Sequence, residues 1–273
     1  MENYSHKSPK ATAVISNFNL YPITLLDYFE DFVLYDQSTD AATQTKVIEN
    51  YPNLTTTQNS GHSLSHYLQF ITDYYQELPQ EIFFLKSNII PRHIDRENFE
   101  SFISVPGLFP IFNDASFVDK PGIAHGIFPG LILERNNSWY CKDKAASYFH
   151  SYDSLFTFLF GNSRLNQYNL FAPGANYRVP STKILQYPKF FWQFLHQLVT
   201  YRYFPQEAYI LERMLFIIFL GGNELDSRHV SLEQMVRDMP ALRTPEEGNI
   251  LKKILLQLKQ KLSHVDLVIR LFR

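Results

Sequence analysis

Glu212 lies where a charge is hard to accommodate. Its segment, ILERMLFIIFL (210–220), is apolar apart from Glu212 and Arg213, and a carboxylate buried without a partner is costly. Glu212 is therefore paired, by Arg213 or by Arg178 from the loop APGANYRVP (172–180), or it faces a polar pocket. In a pocket it can act as a general base toward a hydroxyl. A second set of polar residues follows three apolar runs that read as strands. Ser16, Asn17 and Asn19 follow the first, Asp36 ends the second, and Lys86, Ser87 and Asn88 follow the third. Short polar side chains at strand ends can hold sugar or nucleotide groups, and Lys86 can offset phosphate charge. Strand ends are also simply where a chain turns polar. Asn59, Gly61 and His62 precede a helical pattern. There the glycine permits close approach, and free helix N–H groups can receive phosphate.

Other chemistries find less support. His62 and His66 are one helical turn apart, opposite the apolar stripe of their helix. HSLSH lacks the glutamate of a zincin motif and no third ligand is evident, so solvated or pocket-lining histidines are the plainer reading. Cys141, in WYCKDK, has lysines that can lower its pKa, or it is an ordinary structural thiol. FNDASFVDK brings Asn113, Asp114 and Asp119 together, either for a cation or as solvated loop acids. There is no G-x-S-x-G elbow, no P-loop and no G-x-G-x-x-G, which counts against hydrolase, ATPase and dinucleotide chemistry.

The elements that position these residues follow from hydrophobic period and breakers. ATAVISNFN (11–19) reads as a buried strand, Pro22 opens a helix over 22–31, and FVLYD (32–36) is a second strand. A helix is expected near 40–50. Leu64, Tyr67, Leu68, Ile71 and Tyr75 recur at helical spacing over 63–77, and Pro79 stops that helix. EIFFLKS (81–87) is a third strand, apolar enough to be central. Prolines and glycines break 100–150 into short pieces, with strands and loops around IAHGIFPGLILE (123–134). A short helix over 153–161 ends at Gly161, and helices follow over 183–202, 206–220, 230–238 and 245–272. The fold class expected is α/β: a mostly parallel central sheet with flanking helices and a helical C-terminal part. The division expected is a flexible stretch over 1–10, one α/β domain over 11–245 and a basic amphipathic helix over 246–273.

Bulk composition agrees. With 273 residues, 24 of them Phe and 17 Tyr, a large core forms without staples. The net charge of −2 provides no global field for nucleic acid. One cysteine excludes an intrachain disulfide and fits a reducing compartment. No signal-peptide run opens the chain and no apolar stretch is long enough to span a bilayer, so a cytoplasmic location is expected. Residues 249–273 carry six cations against Asp266, a net +5, leaving −7 for the remainder. That helix either lies on anionic lipid at the inner membrane face or docks on the domain with a solvated basic face.

The order of four blocks resembles a family of bacterial and fungal proteins catalogued as domain of unknown function 3431, glycosyltransferase-A-like in outline. VISNFN (14–19) is similar to its opening strand, NSGHSLSHYLQFITDYYQELP (59–79) to its Tyr-Leu helix block, and EIFFLKSNIIPRH (81–93) to a strand block closing on His93. ANYRVPSTKILQYPKFFWQFL with ILERMLFIIF, within 175–219, is similar to its Glu-Arg signature. The departures fall at polar positions. The family's arginine is Asn17 here, its Arg-Glu pair is His62-Ser63, and its Trp after Glu-Arg is Leu215. The resemblance implies a transferase that moves a sugar from a nucleotide-sugar donor to a glycan or lipid-linked acceptor. Glu212 would be its base, and Ser16, Asn17, Asn19, Asp36, Asn59, His62, Lys86, Asn88, His93 and Arg178 its substrate-binding set. It equally admits a silent binding domain of the same fold. Lys86-Ser87-Asn88 stands where many such transferases carry a metal-binding Asp-x-Asp, so no metal or other cofactor is expected. The remaining partner expected is a membrane surface, touched peripherally through 249–273.

Overall fold

The computed structural model describes residues 11–114, 116, 124–128, 130–141, 148–162 and 167–241. The expected flexible stretch over 1–10, Asp119 and the helix over 245–272 lie outside them. The chain runs β1 (Ala11–Asn17), β2 (Phe32–Asp36), α1 (Ala41–Asn50), β3 (Thr55–Thr56), α2 (His62–Asp73), β4 (Glu81–Lys86), α3 (Ile89–Arg92), α4 (Arg96–Ser104) and β5 (Phe109–Pro110). It continues β6 (Ala124–Phe128), β7 (Leu131–Arg135), α5 (Tyr152–Phe160), β8 (Tyr168–Phe171), β9 (Tyr177–Pro180), α6 (Ser181–Ile184), α7 (Lys189–Thr200), α8 (Gln206–Leu220) and α9 (Leu232–Asp238).

Alternation along the strands divides the core. Ala13, Ile15, Leu34, Phe83 and Leu85 pack on one side with Val47 of α1 and Phe99 and Phe102 of α4. Val14, Tyr35, Ile82 and Phe84 pack on the other with α2, α5, α7 and α8. A sheet covered on both faces needs apolar runs, and this explains the composition of the first and third strands. The sheet order is β3-β2-β1-β4-β9-β5. Neighbours from β3 to β4 are parallel, whereas β9 runs antiparallel to both β4 and β5. A separate antiparallel sheet has the order β6-β7-β8. The architecture is thus mixed α/β with a mostly parallel central sheet. The carboxyl ends of β1, β2, β3 and β4 share one edge.

Several elements differ from their sequence expectation. Residues 22–31 form only a 3-10 turn at Thr24–Tyr28. The helix over 183–202 divides into α6 and α7 at Pro188, which caps α7 and disfavours helical backbone in the residue before it. The loop 172–180 contains β9, because Tyr177 and Val179 fill the face beside β4. α8 matches its expected span, and its apolar residues are buried almost all round. Among the described residues no helix is long and apolar enough to cross a membrane.

Candidate functional site

A cavity of about 350 Å³ opens at the carboxyl edge of the parallel strands. Ser16 and Phe18 follow from β1, Gln37 from β2, Asn59 from beyond β3, and Lys86, Ser87 and Asn88 from β4. His62 and Ser63 at the start of α2, Arg92 of α3, and Tyr203 and Phe204 between α7 and α8 complete the wall. Strand order therefore grades the chemistry. Gln37 and Asn59 stand over β2 and β3, Ser16 and Phe18 over β1, and the cations Lys86 and Arg92, with Ser87 and Asn88, over β4.

Close backbone approach builds the wall. A Cβ on Gly61 would lie 2.6 Å from the Val199 carbonyl oxygen, so only glycine allows α2 to start against α7. His62 follows with φ 56°, and its ring packs on Phe204 at 4.3 Å. Phe204 donates its N–H to the Ser60 carbonyl at 3.0 Å. The Oε1 of Gln37 and Oδ1 of Asn59 are buried acceptors without a hydrogen-bond partner among the described residues.

Lys86 is the half-buried cation of the wall, and no carboxylate lies within ion-pair distance among the described residues. Burial first, then Arg92 and Arg213, lowers its pKa, and Glu212 opposes them. Its backbone N–H donates to Oδ1 of buried Asn176 at 2.9 Å. His93 lies beyond the lining, buried against Phe112 with its ring 5.7 Å away. Burial, with Lys86 and Arg92, lowers its pKa to about 4, so the imidazole is neutral at pH 7.

Glu212 does not line the cavity; it belongs to a largely buried charge cluster near enough to act on the charge of Lys86. Its Oε1 accepts the Gly174 N–H at 2.7 Å and its Oε2 accepts Arg213 Nη1 at 2.6 Å. Of the two partners considered from sequence, Arg213 is the one found. Gly174 has φ 84°, and a Cβ there would meet Asn176 Nδ2 at 2.7 Å. Arg213 also donates to both oxygens of Glu134, at 2.9 and 3.3 Å. Its guanidinium lies over Tyr140 and Phe171, each 4.5 Å from the ring centre. Burial works against that charge, but Glu212 and Glu134 outweigh it and raise its pKa.

Other candidates are placed differently from expectation. Asn17 and Asp36 are fully buried. Asn17 Nδ2 donates to Asp36 Oδ1 at 2.8 Å and to the Leu20 carbonyl at 3.2 Å, and Ser38 Oγ donates to the same Asp36 oxygen at 2.7 Å. They stitch β1 to β2 and do not line the cavity. Asn19 is exposed, and its Oδ1 accepts the N–H groups of Thr39 and Asp40 at 2.8 and 3.0 Å. That amide clamps two loops. Arg178 is at the wrong end of its strand pair. It sits opposite Phe83, bonds Glu81, and donates to the carbonyls of Ile103 and Val105 at 2.8 and 2.7 Å. His66 is not on a solvated face. It is fully buried and bridges Ser16 Oγ at 2.8 Å and Thr57 Oγ1 at 2.6 Å. Burial depresses its pKa to about 3. Burial also lifts Cys141 to about 11, opposite to activation.

Sequence reasoning missed Phe18, Gln37, Arg92, Tyr203 and Phe204. Gln37 was findable, since it directly follows the second strand. Tyr203 and Phe204 reach the site from between two helices, and no local pattern marks that.

Sequence comparison matches residues 31–231 to one family, described as protein of unknown function (DUF3431). The match spans β2 through α8 and includes Lys86, His93 and Glu212, whereas the opening block VISNFN falls before it. No curated protein and no solved structure matches the chain. A match over most of the chain shows the relationship: the protein belongs to the DUF3431 family.

Proposed function

We propose that the cavity binds the nucleotide-sugar donor of a metal-independent sugar transfer. One observation carries this reading: among the described residues Lys86 has no ion-pair partner, and it stands in the wall of a polar cavity at converging strand ends. Ligands of parallel α/β sheets bind at that edge, and a cation lacking its own carboxylate suits an anionic ligand. The graded lining supports an orientation. A nucleobase lies at Gln37 and Asn59, and a diphosphate lies at Lys86 and Arg92. In the transfer, an acceptor hydroxyl oxygen bonds to the anomeric carbon while that carbon's bond to the diphosphate oxygen breaks. The leaving diphosphate takes the electron pair, and Lys86 and Arg92 meet its charge. Glu212 takes the hydroxyl proton. Each of its oxygens accepts one hydrogen bond and retains a second lone pair.

Thermal shift and calorimetry against a panel of nucleotide sugars, with and without EDTA, test the reading. Selective binding that survives EDTA is expected. Binding or turnover lost in EDTA and restored by manganese would contradict metal independence. The engagement of both Glu212 oxygens favours a second reading, a silent recognition domain. Donor or glycan binding without any turnover would select it.

A further inference from the structure

A line of aromatic rings leaves the cavity. Tyr203 packs on Phe204 with centroids 4.1 Å apart, Phe204 on His62 at 4.3 Å, His62 on Tyr209 at 5.2 Å, and Tyr209 on Trp139 at 6.2 Å. Its two ends are open: Tyr203 is 70% exposed and Trp139 45%. An exposed large side chain needs no explanation when it stands alone. Here the exposed rings belong to one run, of which Tyr203, Phe204 and His62 line a polar cavity.

Trp139 is also held in place. Its indole N–H donates to Glu134 Oε1 at 3.1 Å, and the Arg213 guanidinium lies 5.3 Å from its ring centre. The same guanidinium bonds Glu212 and, at 3.3 Å, the Tyr209 carbonyl. One buried arginine thus fixes the platform ring and the proposed base together. Trp139, Tyr209 and Glu212 share one anchor.

We infer that Trp139 and Tyr209 form the acceptor platform, and that the acceptor is a neutral oligosaccharide stacked along these rings. This deepens the transferase reading and rests on it for the role of Glu212. The face of a pyranose carries C–H bonds of slight positive charge, which complement the negative face of an aromatic ring. Its hydroxyls then meet the phenol and the imidazole of the same run of rings, while the indole N–H stays with Glu134. An acyl chain would find no such match.

The two tryptophans make the test direct. Trp192 is fully buried and Trp139 is not, so acrylamide quenching of the intact chain reads Trp139. The probes are hexasaccharides of glucose, mannose and N-acetylglucosamine, set against phosphatidylcholine and phosphatidylglycerol vesicles. At least one hexasaccharide is expected to shield Trp139 and shift its emission to the blue. By calorimetry, Trp139→Ala weakens that binding at least about tenfold, whereas Trp139→Phe keeps the ring and most of the affinity. If Trp139→Ala fails to fold, the shielding experiment on the natural chain still decides. No shielding by any hexasaccharide, shielding by vesicles alone, or unchanged affinity in a folded Trp139→Ala chain overturns the inference. Nucleotide-sugar binding without oligosaccharide binding sinks this inference and leaves the transferase reading standing. Oligosaccharide binding without nucleotide binding does the reverse.

Discussion

Replacing Glu212 by glutamine tests the charge cluster at its weakest link. The amide keeps a carbonyl for the Gly174 N–H, but it places an N–H₂ against Arg213 Nη1, a donor facing a donor across 2.6 Å. A charge-assisted hydrogen bond is worth about 1.5–3 kcal/mol. The larger loss of roughly 3–5 kcal/mol, for orphaning a buried charge, does not apply because Glu134 still holds Arg213. For a domain of this size, about 1.5–3 kcal/mol lowers the melting temperature by roughly 3–10 °C. Lys86 behaves differently. Glu212 is the carboxylate that favours its charge, and removing it also removes a repulsion toward phosphate. Donor affinity, measured by calorimetry, should therefore hold or improve. Turnover should fall about a hundredfold or more, the usual contribution of a general base. An unchanged melting temperature would refute the energetic reasoning, and intact turnover would refute the role. A parallel loss of melting temperature and donor affinity would show that the carboxylate only holds the wall.

Arg178→Lys should lower the melting temperature while leaving donor affinity within about twofold, because Arg178 is engaged with Glu81 and two carbonyls away from the cavity. Weaker donor binding in a folded variant would return Arg178 to the site. Lys86→Met should abolish inorganic diphosphate binding yet preserve or raise the melting temperature, since it removes a desolvated cation; a large melting loss would show that the ammonium is structural. His66 and His93 have folded pKa values of about 3 and 4, below that of an unfolded histidine. The unfolded chain therefore binds more protons below about pH 6.5, and each histidine removes about 1.4 kcal/mol of stability per pH unit as pH falls toward those values. Melting curves from pH 7 to 4 should show this loss, and His66→Gln should flatten it; an identical pH slope in that variant would contradict the assignment.

The sequence was informative where one element decides its own structure. β1, β2 and β4 follow from apolar runs, α8 from its length and its apolar surroundings, and the Gly161 stop from its φ of 71°. The site was legible to the extent that parallel strands deliver their ends to one edge, which brings Ser16, Asn59, His62, Lys86 and Asn88 together. Position along a strand does not reveal depth. Asn17 and Asp36 share a strand-end neighbourhood with Ser16 but are fully buried and bonded to each other. Arg178 lies away from the cavity because its segment is a strand and not a loop. Once the segment runs antiparallel to β4, its arginine is carried away from Lys86. His66 shows the limit of helical period. The face opposite the stripe is solvated only if nothing packs there, and the ends of β1 and β3 do.

The bond from Phe204 to Ser60 has a consequence for how the site comes into being. The strands that offer Ser16, Gln37 and Lys86 lie within the first third of the chain, but the wall facing them is supplied between α7 and α8. Closing so long a loop is entropically slow, and such contacts form late. A chain emerging from the ribosome therefore carries its cationic strand end well before it has a cavity to put it in. A ligand that needs both walls binds only the finished fold, and it adds its binding free energy to holding the two parts of the chain together.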